Sequence, residues 1–272
     1  MKIKDLFLTQ EVFELKETNI PGILRTSPIP NNLDKYYESE DYISHHQDSG
    51  SFKEKIYKLA QSFNLNYKRN IVAKETFKNA KVLDYGCGAG EFIKYIEEDF
   101  ITFGFEPNPD ARKAASKKVN KTTIISDLNE IENESLDMIT MWHVFEHIDN
   151  QEDMLKVFFN KLNDNGLMII AVPNHTSYDA KYYKEFWAAY DVPRHIYHFS
   201  KSGMEKLFNS ENWKLKKIKP LLLDSYYISI LSEKYKKNPF SWLKGGLTGA
   251  VSNFKASKTG EFSSLIYIIE KK

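Results

Sequence analysis

Three glycines at alternate positions, Gly86, Gly88 and Gly90, follow directly on the run Val82-Leu83-Asp84-Tyr85 and precede a segment with helical spacing. Glycine at a strand-to-helix turn lets the backbone take positive φ and lets a ligand come close. In an open α/β sheet such a turn lies at the carboxyl edge of the strands, where ligands bind. The pattern around it agrees. β-rich runs at 81–85, 101–106, 122–126, 136–142 and 167–172 alternate with helix-length segments at 91–98, 110–119 and 150–162. This alternation predicts a doubly wound, mostly parallel sheet covered on both faces. Beyond Pro173 regularity lapses until about residue 200. A helix at 201–209 and strands at 214–223 and 263–270 follow, and 226–260 reads as a partly helical excursion. Upstream, 1–50 reads as irregular, 51–63 as a helix and 64–80 as a polar connection.

The ligand is narrowed by what surrounds the glycines. A dinucleotide fold spaces them Gly-x-Gly-x-x-Gly, with the pyrophosphate on the helix N-terminus. Here the spacing is Gly-x-Gly-x-Gly, and Glu91 stands where the last dinucleotide glycine would be. An anionic side chain there is a poor neighbour for a pyrophosphate. Asp84, just before the loop, is placed to accept from an ammonium group. Glu106, at the end of the second strand, has the position of a carboxylate that holds a ribose diol. Asp127-Leu128, after the third strand, offers a polar and an apolar group to the edge and face of an adenine. Each acid alone also reads as a surface or capping residue; the ordered set is what points to a ligand.

These residues resemble the class I S-adenosylmethionine-dependent methyltransferases. The resemblance runs from Lys81 to about Ser200. It includes Asp84-Tyr85-Gly86-Cys87-Gly88-Ala89-Gly90, Glu106, Asp127-Leu128 and Trp142-His143-Val144-Phe145-Glu146-His147, the last similar to the small-molecule branch that contains ubiquinone-biosynthesis O-methyltransferases. The stretch 190–200, Tyr-Asp-Val-Pro-Arg-His-Ile-Tyr-His-Phe-Ser, looks like a signature of a bacterial subfamily of that branch. The resemblance implies a seven-stranded Rossmann-like sheet with an N-terminal cap, divided at 1–69 and 70–272. It implies S-adenosyl-L-methionine as cofactor. Asp84, Gly86, Cys87 and Gly88 would hold its methionine part, Glu106 and Pro107 the ribose, and Asp127 with Leu128 the adenine; His143 and Phe145 would line the same pocket. Many subfamily members open with a cysteine-rich zinc module followed by Pro-x-Pro and Tyr-Tyr. Pro28-Ile29-Pro30 and Tyr36-Tyr37 are present, but Cys87 is the one cysteine of the chain. A zinc site of that kind needs three or four soft ligands, so no zinc is expected, and Tyr36 and His45 would belong to a lid over the cofactor.

Methyl transfer from a sulfonium is an in-line displacement that requires alignment and exclusion of water. A hydroxyl or amine acceptor usually also needs a base, and histidine is the default near neutral pH. Five of seven histidines fall between 143 and 198. The expected catalytic set is His195, His147 and Tyr190, with Tyr190 helping to fix the ring of His195; a structural role for each histidine stays open. Arg194 could take an anionic substrate group or pin its loop to Asp191. His143, Glu146 and His147 have the residue types of a metal site. Related quinone methyltransferases carry Glu-x-x-Glu-His there, but His143 replaces the first Glu, and no metal is expected.

Lys and Arg number 38 against 37 Asp and Glu, a balance that gives no bulk charge for nucleic acid or membrane. The lysines at 234, 236, 237 and 244 read as a solvated surface. The expected partner is a small-molecule methyl acceptor, reacting at O or C and possibly N, with no nucleic acid and no membrane; the chain would be a cytoplasmic monomer or homodimer. Two alternatives remain at this stage: a non-catalytic binding module on the same fold, and an NAD-dependent oxidoreductase.

Overall fold

The computed structural model describes residues 1–36 and 52–272. The strands are β1 (Lys2–Lys4), β2 (Val12–Glu17), β3 (Ile23–Ser27), β4 (Lys81–Tyr85), β5 (Ile101–Phe105), β6 (Thr123–Ile125), β7 (Leu136–Trp142), β8 (Leu162–Pro173), β9 (Tyr197–Phe199), β10 (Trp213–Pro220) and β11 (Ser264–Lys271). The helices are α1 (Phe52–Glu75), α2 (Glu91–Ile96), α3 (Pro109–Lys118), α4 (Gln151–Lys161), α5 (Tyr178–Tyr183), α6 (Lys201–Leu207), α7 (Asp224–Tyr235) and α8 (Ser241–Thr259).

Seven strands form one sheet in the order β10-β11-β8-β7-β4-β5-β6. The five from β8 to β6 are parallel, and β11 runs antiparallel to both its neighbours. Side chains alternate across a strand, and the burial follows. Leu83, Ile139, Met168, Ile170 and Tyr267 pack on one face with Phe158 of α4 and Met204 of α6. Val82, Met138, Ile169, Ile266 and Ile268 pack on the other with Ile71 and Val72 of α1 and Ile93 and Ile96 of α2. Strands buried on both faces need apolar residues at consecutive positions, which is why this half of the chain was readable.

The first 36 residues are not irregular, as expected, but carry three short strands. Val12–Glu17 alternates, with Phe13 and Leu15 inward. β1, β2 and β3 form an antiparallel sheet that is completed by β9. Its apolar side packs on Tyr183, Trp187, Tyr190 and Val192. The polar connection expected at 64–80 is the second half of α1, which runs unbroken across the expected boundary at 69. Its inward face there is narrow, chiefly Ile71 and Val72, so the surrounding polar residues masked the helical period. The excursion at 226–260 resolves into the hairpin of α7 and α8, inserted between β10 and β11.

Buried charge joins the small sheet to the rest. Arg194 is fully buried. Its guanidinium donates to Asp191 Oδ1 at 2.6 Å and to Asp5 Oδ1 at 3.1 Å through Nη2, and to the Tyr36 carbonyl at 3.0 Å through Nη1. Of the two readings open for this residue, the pin to Asp191 is what the fold contains, with the side chain fully buried among protein partners. Removing one partner of a buried ion network leaves charges unpaired and costs about 3–5 kcal/mol. Arg194→Ala is therefore expected to lower the unfolding free energy by about that amount, read as the midpoint of urea denaturation; an unchanged midpoint would show that the network is not structural.

Candidate active site

The glycine loop is built as the spacing implies. Gly86, Gly88 and Gly90 have φ of 77°, 54° and 83°. At Gly86 an added Cβ would lie 2.6 Å from Val144 Cγ2, so the residue must be small. At Gly88 an added Cβ would meet nothing within 4 Å; that side of the loop is open. Cys87 is a buried packing residue whose thiol, desolvated by burial, is pushed up to about 12. It remains a thiol at neutral pH.

Two carboxylates flank the loop. Asp84 is buried and accepts from Thr140 Oγ1 at 2.7 Å. Burial raises its pKa to about 7, against the opposing pull of Thr140 and of the Lys68 ammonium. The Lys68 ammonium lies 4.7 Å from the centre of the Trp142 ring. Glu106 is half-buried, and its two oxygens accept from the Gly88 N–H and from the Asn108 N–H, each at 2.9 Å. A carboxylate has about four lone-pair sites, so each oxygen retains capacity for another donor. Pro107 is exposed beside it. Asp127 is also exposed and caps the turn at Leu128–Glu130, accepting from the Asn129 N–H at 2.9 Å. Glu91, which argued against a pyrophosphate, pairs with Lys118; its charge is answered within the protein, and the glycine spacing carries that argument alone.

The neighbouring strand end brings together residues far apart in sequence. His143 follows β7 in a left-handed conformation, φ 58°. Its Nε2 lies 2.8 Å from Asp224 Oδ2 and its Nδ1 lies 3.4 Å from Glu146 Oε1. Burial alone would lower its pKa, but Asp224 and Glu146 outweigh burial and raise it to about 10. His143 is thus an imidazolium held between two carboxylates. Glu146 is 1% exposed, and neither carboxylate oxygen has a hydrogen-bond partner. It stays ionised, because His143, followed by His195, overcomes the effect of burial. His195 Nε2 is 4.0 Å from Glu146 Oε1. His195 Nδ1 lies 2.9 Å from the Ala189 carbonyl and so carries a proton, and Nε2 is the nitrogen that faces Glu146. His147 packs edge-on against His195, ring centres 4.7 Å apart, with its Nδ1 on the Arg194 carbonyl at 2.9 Å. Burial, then His195, lowers the His147 pKa to about 4. Ligand atoms of Glu146, His147 and His195 lie within 4.8 Å of one another, so these three have the placement to hold a cation.

Sequence reasoning weighed Glu146 only within a metal-type cluster and missed Asp224, which reaches His143 from an insertion whose packing no local pattern reports. Three expected residues stand elsewhere. Phe145 is fully buried, stacked at 5.5 Å on Phe199, so it supports the loop from beneath and lines no pocket. Tyr36 is buried against Phe13 and donates its hydroxyl to Glu11; it belongs to the small sheet. Tyr190 is buried between Trp187 and His198, while the ring of His195, which it was expected to fix, is held by the Ala189 carbonyl and His147. His45 lies outside the described residues.

Comparison with known proteins adds a family. Residues 53–218 match a family described as a methyltransferase domain. An uncharacterized protein of Methanocaldococcus jannaschii is 30% identical over 152 residues, covering 52% of this chain and 58% of that one. The chain thus spans less than two thirds of that relative's length. Among solved structures, the complex between the Haloferax volcanii Trm112 methyltransferase activator and the putative methyltransferase contains a chain similar at a TM-score of 0.54 and 12% identity, covering 78% of this chain and 96% of that one. A SAM-dependent methyltransferase of Thermotoga maritima, described as a possible histamine N-methyltransferase, is similar at 0.52 and 17%, covering 81% and 95%. At these identities the structural likeness is one of fold.

The state of Asp84 can be checked without any ligand. Its pKa is raised in the folded chain, so the folded state holds a proton that the unfolded state has lost between about pH 4 and 7. Wild-type stability should fall across that window relative to Asp84→Asn, which carries no ionisable group. The difference in melting temperature between variant and wild type should grow from pH 4 to 7 and level off above. Parallel curves would show that Asp84 has an ordinary pKa.

Proposed function

The chain belongs to the methyltransferase-domain family, and on that premise we propose that it transfers a methyl group from S-adenosylmethionine to a small-molecule acceptor, at oxygen or carbon and possibly at nitrogen. The observation that carries this reading is the pairing of an open glycine loop, flanked by Asp84 and Glu106, with a buried, ionised carboxylate, Glu146, at the next strand end. S-adenosylmethionine, when bound, supplies an electrophilic methyl group on a sulfonium. The residues present fit it. The loop has room at Gly88, Glu106 keeps lone pairs for two vicinal hydroxyls, and Asp84 offers a carboxylate to an ammonium group. Asp127 and Leu128 are assigned to the adenine. Work in the cytoplasm fits this reading.

On the acceptor side, His195 is the group assigned as base. Its Nδ1 is held as a donor by the Ala189 carbonyl, so in the neutral ring Nε2 has the lone pair that takes a proton from a hydroxyl or amine. The imidazolium so formed would lie beside Glu146, whose charge favours it. His147, at a pKa of about 4, is too weak a base for this and serves to hold the ring of His195. His143 is already protonated and acts as a fixed positive charge that keeps Glu146 ionised.

Calorimetry with S-adenosylhomocysteine separates the two halves of the site. A charge-assisted hydrogen bond is worth about 1.5–3 kcal/mol, so Glu106→Ala should raise the dissociation constant at least about tenfold. His195→Ala should leave it within about twofold, because a base acts on the acceptor. An unchanged constant for Glu106→Ala, or no binding by the wild-type chain, would sink the reading.

A further inference from the structure

Helix α8 is packed inside out. Its buried positions are small: Gly245, Thr248, Gly249, Ser252 and Ala256 face inward. An added Cβ at Gly245 would come 2.5 Å from the Ile230 Cα, and one at Gly249 would come 2.8 Å from the Tyr226 Cα, so the two helices of the hairpin touch backbone to backbone. The large apolar residues lie on the other side. Phe240, Leu243, Leu247, Val251 and Phe254 are spaced three or four apart and are between 41% and 70% exposed. Residues at this spacing share one face of a helix. A helix that folded only against water would place these five inward and its glycines and serines outward. An exposed apolar stripe this continuous marks a surface that meets something else.

The charge beside the stripe says what. From Glu233 to Thr259 the chain has six lysines (234, 236, 237, 244, 255 and 258) and a single acid, Glu233, which pairs with Lys244 at 3.3 Å. Lys258 lies in line with the stripe at its C-terminal end, its ammonium 5.1 Å from the Phe254 ring centre, and Lys255 borders the stripe, its ammonium 3.8 Å from the Tyr178 ring centre. Two copies of this face would bring like charges together, which disfavours a dimer through it. An apolar ridge with lysines at its margin, on a helix of 19 residues or about 28 Å, has the form of a segment that lies in a membrane interface. Lysine stems can lie along the apolar surface while their ammonium groups reach phosphate. Among the described residues no helix is long and apolar enough to cross a membrane, so the arrangement is one of lying on a bilayer, not spanning it.

We propose that the exposed face of α8 docks on an anionic lipid surface, with Phe240, Leu243, Leu247, Val251 and Phe254 entering the interface and Lys255 and Lys258 meeting lipid phosphate. This departs from the expectation drawn from bulk charge, which averages a basic hairpin with a neutral remainder. It stands apart from the methyl-transfer reading, since the hairpin lies outside the β/α alternation. Its base nonetheless touches the site, through Asp224 on His143.

Co-sedimentation of the whole chain with lipid vesicles tests this. The bound fraction is expected to be at least about tenfold greater with phosphatidylglycerol–phosphatidylcholine vesicles than with phosphatidylcholine alone at low salt, and to fall as salt is raised. The triple variant L243S/L247S/F254S should lose binding while keeping its melting temperature and its affinity for S-adenosylhomocysteine, because all three side chains are exposed. K255Q/K258Q, which leaves the stripe intact, should lose only the preference for anionic vesicles. Absence of wild-type binding to anionic vesicles, equal binding to both, or binding unchanged in the triple variant would overturn the proposal. So would sedimentation as a dimer that the triple variant abolishes, or capture of an acidic protein by a chain that ignores vesicles.

Discussion

The buried guanidinium of Arg194 is the fixed point on which the site depends. One side of it holds the N-terminal sheet, through Asp5 and the Tyr36 carbonyl. The other holds the loop at Asp191, and its own carbonyl receives His147 Nδ1. The next residue is His195, whose carbonyl accepts from Thr26 Oγ1 of β3 at 2.7 Å. Buried ion networks are weak evidence of net stability, since desolvation offsets most of the attraction. What this one supplies is placement. It fixes two imidazoles and a capping sheet against the carboxyl edge of the parallel strands, in a region without long regular elements of its own.

Around that edge the charges are arranged in opposition. Glu146 and Asp224 share the imidazolium of His143, and Lys68 faces Asp84 and Asp224. Glu106 and Asp84 remain with capacity for donors from outside. An ionised carboxylate as deeply buried as Glu146 is costly, and the long contact from His143 at 3.4 Å is what offsets that cost. Perturbed ionisable groups of this kind gather at functional sites, which is what supports the proposed placement of the chemistry.

The sequence made the parallel half legible because strands buried on both faces must be apolar at consecutive positions, and because a glycine loop has few uses at a strand end. The places of Asp84, Gly86, Gly88 and Glu106 at two strand ends were readable from that alone. The N-terminal strands were not: three to six residues, half exposed, carry too little alternation, and β9, which completes their sheet, comes some 170 residues later. The same distance hid the site. His143 and Glu146 are local, but Asp224 and His195 join them only through tertiary contacts. Phe145 and Tyr36 misled because a phenyl or phenol near a motif reads the same in sequence whether it lines a pocket or packs beneath one.

In the proposed arrangement one cofactor, bound on the glycine loop, presents its sulfur to the space beside Glu146 and His195. A crystal structure with S-adenosylhomocysteine measures this most directly. The expected result is the amino group near Asp84, the ribose hydroxyls on Glu106, and the sulfur open toward Glu146 and His195 with no protein layer between. A ligand bound away from the glycine loop, or a sulfur walled off from Glu146 and His195, would contradict it.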